Sequence, residues 1–179
     1  MVISNEKITI RALQKEDATE FSVAVLESTD TVGKWMPWCH RGYRELDALQ
    51  WIESCRASYE NNLAYDLGLF SSENQFIGSI AVNQINNRYG IGNIGYWVRE
   101  SCQNRGYATE AVSLIKQYAF DVLKLNRLEI LVLEDNLPSR AVAEKSGAIL
   151  ECIAQNRLVH NGVSMAAAVY SLVPASSSN

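Results

Sequence analysis

The chain has 179 residues, enough for one domain with a well-buried core. Its 47% hydrophobic and 20% charged content fits a soluble globular protein, and a net charge of −4 offers no broad basic surface for nucleic acid. No apolar run reaches transmembrane length, and Met1-Val2-Ile3-Ser4-Asn5-Glu6 lacks an export signal. Cys39, Cys55, Cys102 and Cys152 stand far apart and only His40 and His160 accompany them, which predicts no metal site, no membrane association and a reducing, cytoplasmic setting.

Ile8 to Leu13 alternates like a first strand. A helix is predicted over Lys15 to Leu26, with Ala18, Phe21, Val25 and Leu26 at helical spacing. A second is predicted over Glu45 to Asn62, with Leu46, Leu49, Ile52 and Tyr59 turned inward, and Trp35-Met36-Pro37-Trp38-Cys39-His40 lies between the two. Leu67 to Phe70 and Phe76 to Val82 read as strands joined through Ser72-Glu73-Asn74, and Ile91 to Val98 as a β-branched and aromatic strand. Ala108, Ala111, Val112, Ile115, Ala119 and Val122 then mark a helix with one buried face. Arg127 to Val132 is a buried strand, parallel to its predecessor because a helix connects them. Pro138 suits the first turn of a short helix that stops at Gly147. Ile149 to Val159 and Val163 to Val173 form a hairpin around Asn161-Gly162, whose free edge permits a homodimer as well as a monomer. The order is β α α β β β α β α β β, an α+β fold with a mixed sheet of about seven strands and four helices. It fills residues 1–174, ahead of a tail, 175–179, expected to be disordered.

The segment Gln103-Asn104-Arg105-Gly106-Tyr107-Ala108-Thr109 joins the Ile91 strand to its helix. A strand that turns through small residues into a helix leaves unpaired N–H groups at the positive end of the helix dipole, which together form an anion site. Gly106 admits close approach of a phosphate, and Ala108 keeps the first turn uncrowded. A nucleotide P-loop is excluded, because Trp35 follows the only Gly-Lys, Gly33-Lys34. A dinucleotide fingerprint is excluded too, since the loop lies past mid-chain and Glu129 sits within a strand pattern.

This order, with Asn93-Ile94-Gly95-Tyr96-Trp97-Val98, then Gln103-x-x-Gly106-x-Ala108, then Asn136-Leu137-Pro138-Ser139, resembles the GNAT superfamily of N-acetyltransferases. Within it, the Gly95-Tyr96-Trp97 phrase and the Trp-rich segment near Trp35 resemble the ribosomal-protein-serine and -alanine branch. The resemblance implies a sheet splayed between the fourth and fifth strands, with acetyl-coenzyme A as donor in the gap. It implies that Gln103, Asn104, Arg105, Gly106, Tyr107, Ala108 and Thr109 hold the pyrophosphate, and that Trp97, Val98 and Arg99 pair with the pantetheine arm. An N–H near Trp97 or Val98 would then stabilise the oxyanion. Asn136 and Ser139 fall where the family contacts the cofactor, and Ser139 Oγ is the expected proton donor to the thiolate. Trp35, Trp38, His40 and Tyr96 are the candidates for the acceptor site, Tyr96 being equally compatible with a place in the core.

No general base is evident. Arg157 aligns with a glutamate of some members of that branch, and Ser164-Met165-Ala166-Ala167-Ala168 carries no acid. An α-amine titrates about 2.5 units below a lysine, a difference of roughly 3.4 kcal/mol, so a missing strong base tilts the acceptor toward a protein N-terminus. The expected reaction is direct attack in a ternary complex, with a ribosomal protein as first candidate. The alternatives are a small amine (polyamine, amino acid or aminoglycoside) or a non-catalytic acyl-coenzyme A-binding module. A closed, acidic pocket would favour the small cation, and an open groove a peptide.

Overall fold

A computed structural model describes residues 1–174, and the expected tail, 175–179, lies outside the described residues. One eight-stranded mixed sheet runs through it, formed by β1 (Val2–Ser4), β2 (Ile8–Arg11), β3 (Tyr65–Ser71), β4 (Phe76–Asn86), β5 (Ile91–Val98), β6 (Arg127–Leu133), β7 (Ile149–His160) and β8 (Val163–Leu172). The helices are α1 (Ala18–Glu27), α2 (Glu45–Glu60), α3 (Tyr107–Asp121) and α4 (Leu137–Lys145). Strand order is β1-β2-β3-β4-β5-β6-β8-β7, so the last strand slips between β6 and β7 and leaves β7 on the edge. The strand beyond the expected seven is β1; three residues are too few to show alternation.

Local chemistry explains the boundaries. The predicted first helix opens as a 3-10 turn over Lys15–Asp17, where Asp17 accepts from the Gln14 backbone and from Arg11. Pro138 sits in the first turn of α4, and Gly147 ends it at φ +82°. Asn161 and Gly162 both adopt positive φ, the requirement of a type I′ turn, and so fix the hairpin register. Two predicted inward residues face solvent instead. Leu46 is 52% exposed in the first turn of α2, and Val122 is 59% exposed just past the end of α3.

Alternation along the strands divides the core in two. Leu67, Leu69, Ile80, Val82 and Ile94 pack on Ala111, Val112 and Ile115 of α3. On the opposite face Phe70, Phe76 and Trp97 pack against Phe21, Val25 and Ile52 of α1 and α2. Burying each such aliphatic or aromatic side chain contributes about 1.5–3 kcal/mol. The site is positioned by the junction of β5 and β6. Their parallel pairing covers only Ile91–Arg127, Gly92–Leu128 and Asn93–Glu129, and beyond Asn93 the strands part. The splay expected between the fourth and fifth predicted strands is therefore present.

Candidate active site

The free edge of β5 can be read from its neighbours. Arg99 N–H donates to Ile77 O on β4 (3.0 Å), and Gly78 lacks room for a Cβ because Trp97 O would lie 2.1 Å away. In an antiparallel pair alternate residues point the same way, so the Trp97 and Arg99 peptides serve β4 while those of Tyr96 and Val98 face the gap. Gln103 Nε2 confirms this by donating to Val98 O from the open side (3.0 Å). Of the two peptides expected to meet the thioester carbonyl, only that of Val98 is turned to the splay.

Arg99 is the clearest departure from expectation. Its guanidinium is 8% exposed and gripped by Glu27 of α1, with Nε on Oε1 at 3.0 Å, a second bond to Oε2, and Nη1 on Phe76 O at 3.2 Å. Its backbone is spent on β4, so Arg99 anchors the sheet to α1 and neither group reaches the gap. The arginine holds the Glu27 carboxyl down at about 2, and Glu27 also accepts from Ser101 N–H (3.1 Å) and Oγ–H (2.7 Å). This clamp fixes the turn leading from β5 into the loop Gln103 to Thr109.

That loop has the geometry of an anion cradle. Asn104 and Gly106 take positive φ (+61° and +79°), and α3 starts without any side-chain cap, leaving the first N–H groups open. Tyr107, Ala108 and Thr109 face a cleft of about 720 Å³, together with Gln103, Asn104 and Gly106. Lys7 donates to Arg105 O (2.7 Å) and lies over the Tyr107 ring, pinning the loop from β2's approach; Arg105 itself is exposed outside the cleft. Lys7 carries no sequence signal of this role, since it precedes a strand by one residue.

Across the splay, Asn136 caps α4 by accepting from Ser139 N–H (3.3 Å), and its side chain stays out of the cleft. Ser139 lines the cleft, and its Oγ meets Tyr96 Oη at 3.1 Å, while Tyr96 Oη–H donates to Ser139 O (3.0 Å). Burial pushes the Tyr96 phenol up to about 12 although Ser139 opposes the shift, so it is protonated at neutral pH. α4 is held in place by the fully buried Tyr170, whose Oη donates to Glu144 (2.8 Å) and accepts from Arg140 Nε–H (3.1 Å).

On the α1–α2 side lies a second cavity of about 550 Å³. Met36, Tyr96 and Trp97 line both cavities, so the two meet at the mouth of the splay. Trp38 stands in the wall of this chamber, edge-on to Trp97 at 5.5 Å between centroids. Trp35 belongs to the other cavity, under Lys34. His40 lines neither; it is exposed and accepts from Gly42 N–H (3.1 Å). Sequence reasoning missed Tyr43, Trp51 and Asp66 in the chamber. The signal for Asp66 was a carboxylate between Tyr65 and Leu67 in a buried strand. Arg157, aligned with a glutamate of some relatives, forms an ion pair with Glu129 (3.7 Å) at the strand fork.

A splayed mixed sheet with an open helix start beside the gap defines an acyl-coenzyme A transferase. A family profile described as "Acetyltransferase (GNAT) domain" matches residues 7–149, and the chain belongs to that family. It is therefore an N-acetyltransferase, with acetyl-coenzyme A as donor substrate. A Bacillus subtilis relative, YdaF, named as a candidate ribosomal N-acetyltransferase, is 30% identical over 94% of this chain and 92% of its own. A solved Vibrio cholerae structure, described as a candidate ribosomal-protein-serine acetyltransferase, is 30% identical with a TM-score of 0.86, over 97% of this chain and 98% of that one. The microcin C7 self-immunity acetyltransferase MccE, solved with acetyl-coenzyme A and AMP, is 27% identical with a TM-score of 0.88, over 94% and 93% of the two chains. The uncapped start of α3 and the unpaired edge of β5 fit such a donor.

Proposed function

We propose that this enzyme acetylates the N-terminal α-amine of a protein, a ribosomal protein being the first candidate, by direct attack in a ternary complex. The observation carrying the reading is the meeting of two cavities at Met36, Tyr96 and Trp97, one on each side of the splay. Donor and acceptor enter from opposite sides, which suits one-step transfer without an acyl-enzyme. The names of YdaF and of the Vibrio cholerae neighbour support the acceptor.

Acetyl-coenzyme A supplies the activated acetyl group. The Tyr107, Ala108 and Thr109 N–H groups hold its pyrophosphate, and the β5 edge orients the pantetheine arm by added-strand pairing. The Val98 N–H faces the position where negative charge develops on the carbonyl oxygen. With the phenol proton donated to Ser139 O, Ser139 Oγ–H rests on Tyr96 Oη and turns from it to protonate the departing thiolate.

A second reading, a small amine as acceptor, is favoured by the chamber itself, which is walled by aromatic rings and contains Asp66. Release of coenzyme A tests both. One panel holds peptides beginning with Ser or Ala from ribosomal proteins; the other holds polyamines, amino acids and aminoglycosides. Turnover with peptides, with the acetyl group on the α-amine by mass spectrometry, is expected. Turnover only with the second panel would discard the protein substrate. The free thiols of the chain, Cys152 being exposed, require a control without acceptor.

A further inference from the structure

The register puts Asp66 of β3, Ala81 of β4 and Gly95 of β5 side by side across the sheet. They face α1 and α2, opposite to Leu67, Ile80 and Ile94 in the other core layer. Small side chains at Ala81 and Gly95 keep this floor low; a Cβ on Gly95 would meet nothing nearer than Asn83 Nδ2 at 3.8 Å. Two polar groups stand on the floor unsatisfied. Ser79 Oγ is buried with no hydrogen-bond partner among the described residues. Asp66 is half-buried on the same floor with no hydrogen bond or ion pair among the described residues, and desolvation raises its carboxyl above the usual range. Trp38, Tyr43 and Trp51 present rings around the same space. Unpaired anion, orphan hydroxyl and π faces in one chamber are complementary to a cation.

We propose that Asp66 is the ammonium anchor and proton acceptor of the acceptor chamber, taking the primary amine in as its cation and removing a proton before attack. The proposal rests on the acetyl-transfer reading above and supplies the base that Arg157 and the segment Ser164–Ala168 do not. It also sets the acceptor class: amines whose neighbouring groups are neutral or cationic, with carboxylates beside the reacting nitrogen excluded by like charge.

Geometry sets the route. Asp66 and Gly95 are two strand spacings apart, about 9.6 Å between backbones, and Val98 lies three residues further along β5, roughly another 10 Å, so the proton passes along a chain of waters in the chamber. The steps balance. The ammonium loses a proton to the Asp66 carboxylate through water, and the neutral nitrogen attacks the thioester carbon. The carbon–sulfur bond breaks with its electron pair on sulfur, which takes a proton from Ser139 Oγ–H. The proton left on the nascent amide nitrogen passes to Ser139, and the Asp66 proton leaves to solvent. One ammonium and one acetyl thioester become one amide, one thiol and one released proton.

The neighbours of Asp66 leave this role to it alone. On α2, Asp47 is already occupied by the Arg44 backbone (2.8 Å) and guanidinium (3.0 Å). Cys55 of the same helix is pushed up to about 12 by burial, then by Asp66 itself, and stays a thiol. Tyr43, raised to about 12 mainly by burial, and Tyr96 are neutral. Arg11, from β2, is engaged by Asp17 at 2.7 Å. No cation among the described residues faces Asp66, and the substrate's ammonium is the missing counter-ion.

Two measurements on Asp66→Asn and Asp66→Glu, with wild type, test the proposal. The first follows chamber tryptophan fluorescence with phenethylammonium and with phenethyl alcohol, its neutral counterpart, and needs no turnover. Wild type is expected to prefer the cation about tenfold. Asp66→Asn is expected to lose that preference while binding coenzyme A unchanged, and Asp66→Glu to keep part of it. Equal preference in wild type and Asp66→Asn overturns the proposal. The second is the pH profile of acceptor kcat/KM. Asp66→Asn is expected to lower it about 100-fold at pH 7 and to recover as rising pH deprotonates the amine in solution. A parallel, pH-independent loss would mark a structural residue and overturn the proton-transfer role. If wild type binds the cation selectively yet turns over neither acceptor panel, the acetyl-transfer reading fails while the anchor stands.

Discussion

Glu27→Gln is the perturbation that links the stability of this fold to its site. Glu27 has no expected contact with either substrate, but it clamps Arg99 and Ser101 immediately before the loop proposed to hold the pyrophosphate. Its carboxyl lies at about 2 against an ordinary 4.5, held down first by the Arg99 guanidinium and then by Ser101. A shift of that size corresponds to about 3.4 kcal/mol, and the 28% exposure of the side chain brings a realistic figure nearer 2 kcal/mol. The folded value lies below the unfolded one, so this stabilisation is complete above pH 4.5 and is lost as pH falls toward 2. Denaturant unfolding at pH 7 should show Glu27→Gln less stable by about 2 kcal/mol, with more than about half of that gap gone by pH 3. Because the amide still accepts from Ser101 but grips Arg99 weakly, KM for acetyl-coenzyme A should rise a few-fold, roughly, with little change in kcat. Equal stability of the two proteins at pH 7, or a gap that persists undiminished at pH 3, would refute the clamp.

The remaining predictions concern the site. Ser139→Ala should lower kcat about 10- to 100-fold while coenzyme A affinity stays within about threefold; an unchanged kcat would remove Ser139 from proton transfer. Tyr96→Phe should lower kcat less, and because the phenol is held near 12, wild type and variant should share one profile shape up to about pH 10. A new alkaline fall present only in wild type below that pH would contradict it. Gly106→Val forces a β-branched residue to φ +79°, a strain of about 1–3 kcal/mol, and sets its Cβ 3.4 Å from Lys7 Nζ, the group that pins the loop. Coenzyme A binding by calorimetry should weaken in the folded variant, and unaltered affinity would place the pyrophosphate elsewhere. Asp66→Asn should also raise the thermal midpoint at pH 7. The folded carboxyl is raised, so stability falls as pH climbs past its unfolded value, and the amide removes that penalty. A lower midpoint would mean that Asp66 is a structural acceptor.

The parts of this molecule legible in the sequence are those governed by local chemistry. The cradle was readable because one glycine, one small residue and a helix start must coincide within Gly106 to Thr109. The hairpin was readable because Asn161-Gly162 tolerates two positive φ values in succession. What stayed hidden depends on which face a side chain takes after strands pair. Arg99 follows Trp97 and Val98 in sequence and looks like an extension of the cofactor edge. Its peptide instead alternates back to β4, and its side chain finds a carboxylate 72 residues earlier. The Trp-rich segment, expected to act as a unit, divides between cavities, Trp35 lining the cleft beside α3 and Trp38 the chamber beside α1 and α2, with His40 in solvent. Asp66 was passed over altogether. It stands just before the apolar run from which that strand was read and drew no notice, yet β3 lies between β2 and β4, and an interior strand does not leave a carboxylate unpaired without cost. A half-buried carboxylate without a hydrogen bond or ion pair among the described residues, beside the orphan Ser79 hydroxyl, is the physical argument that something outside the chain completes the chamber.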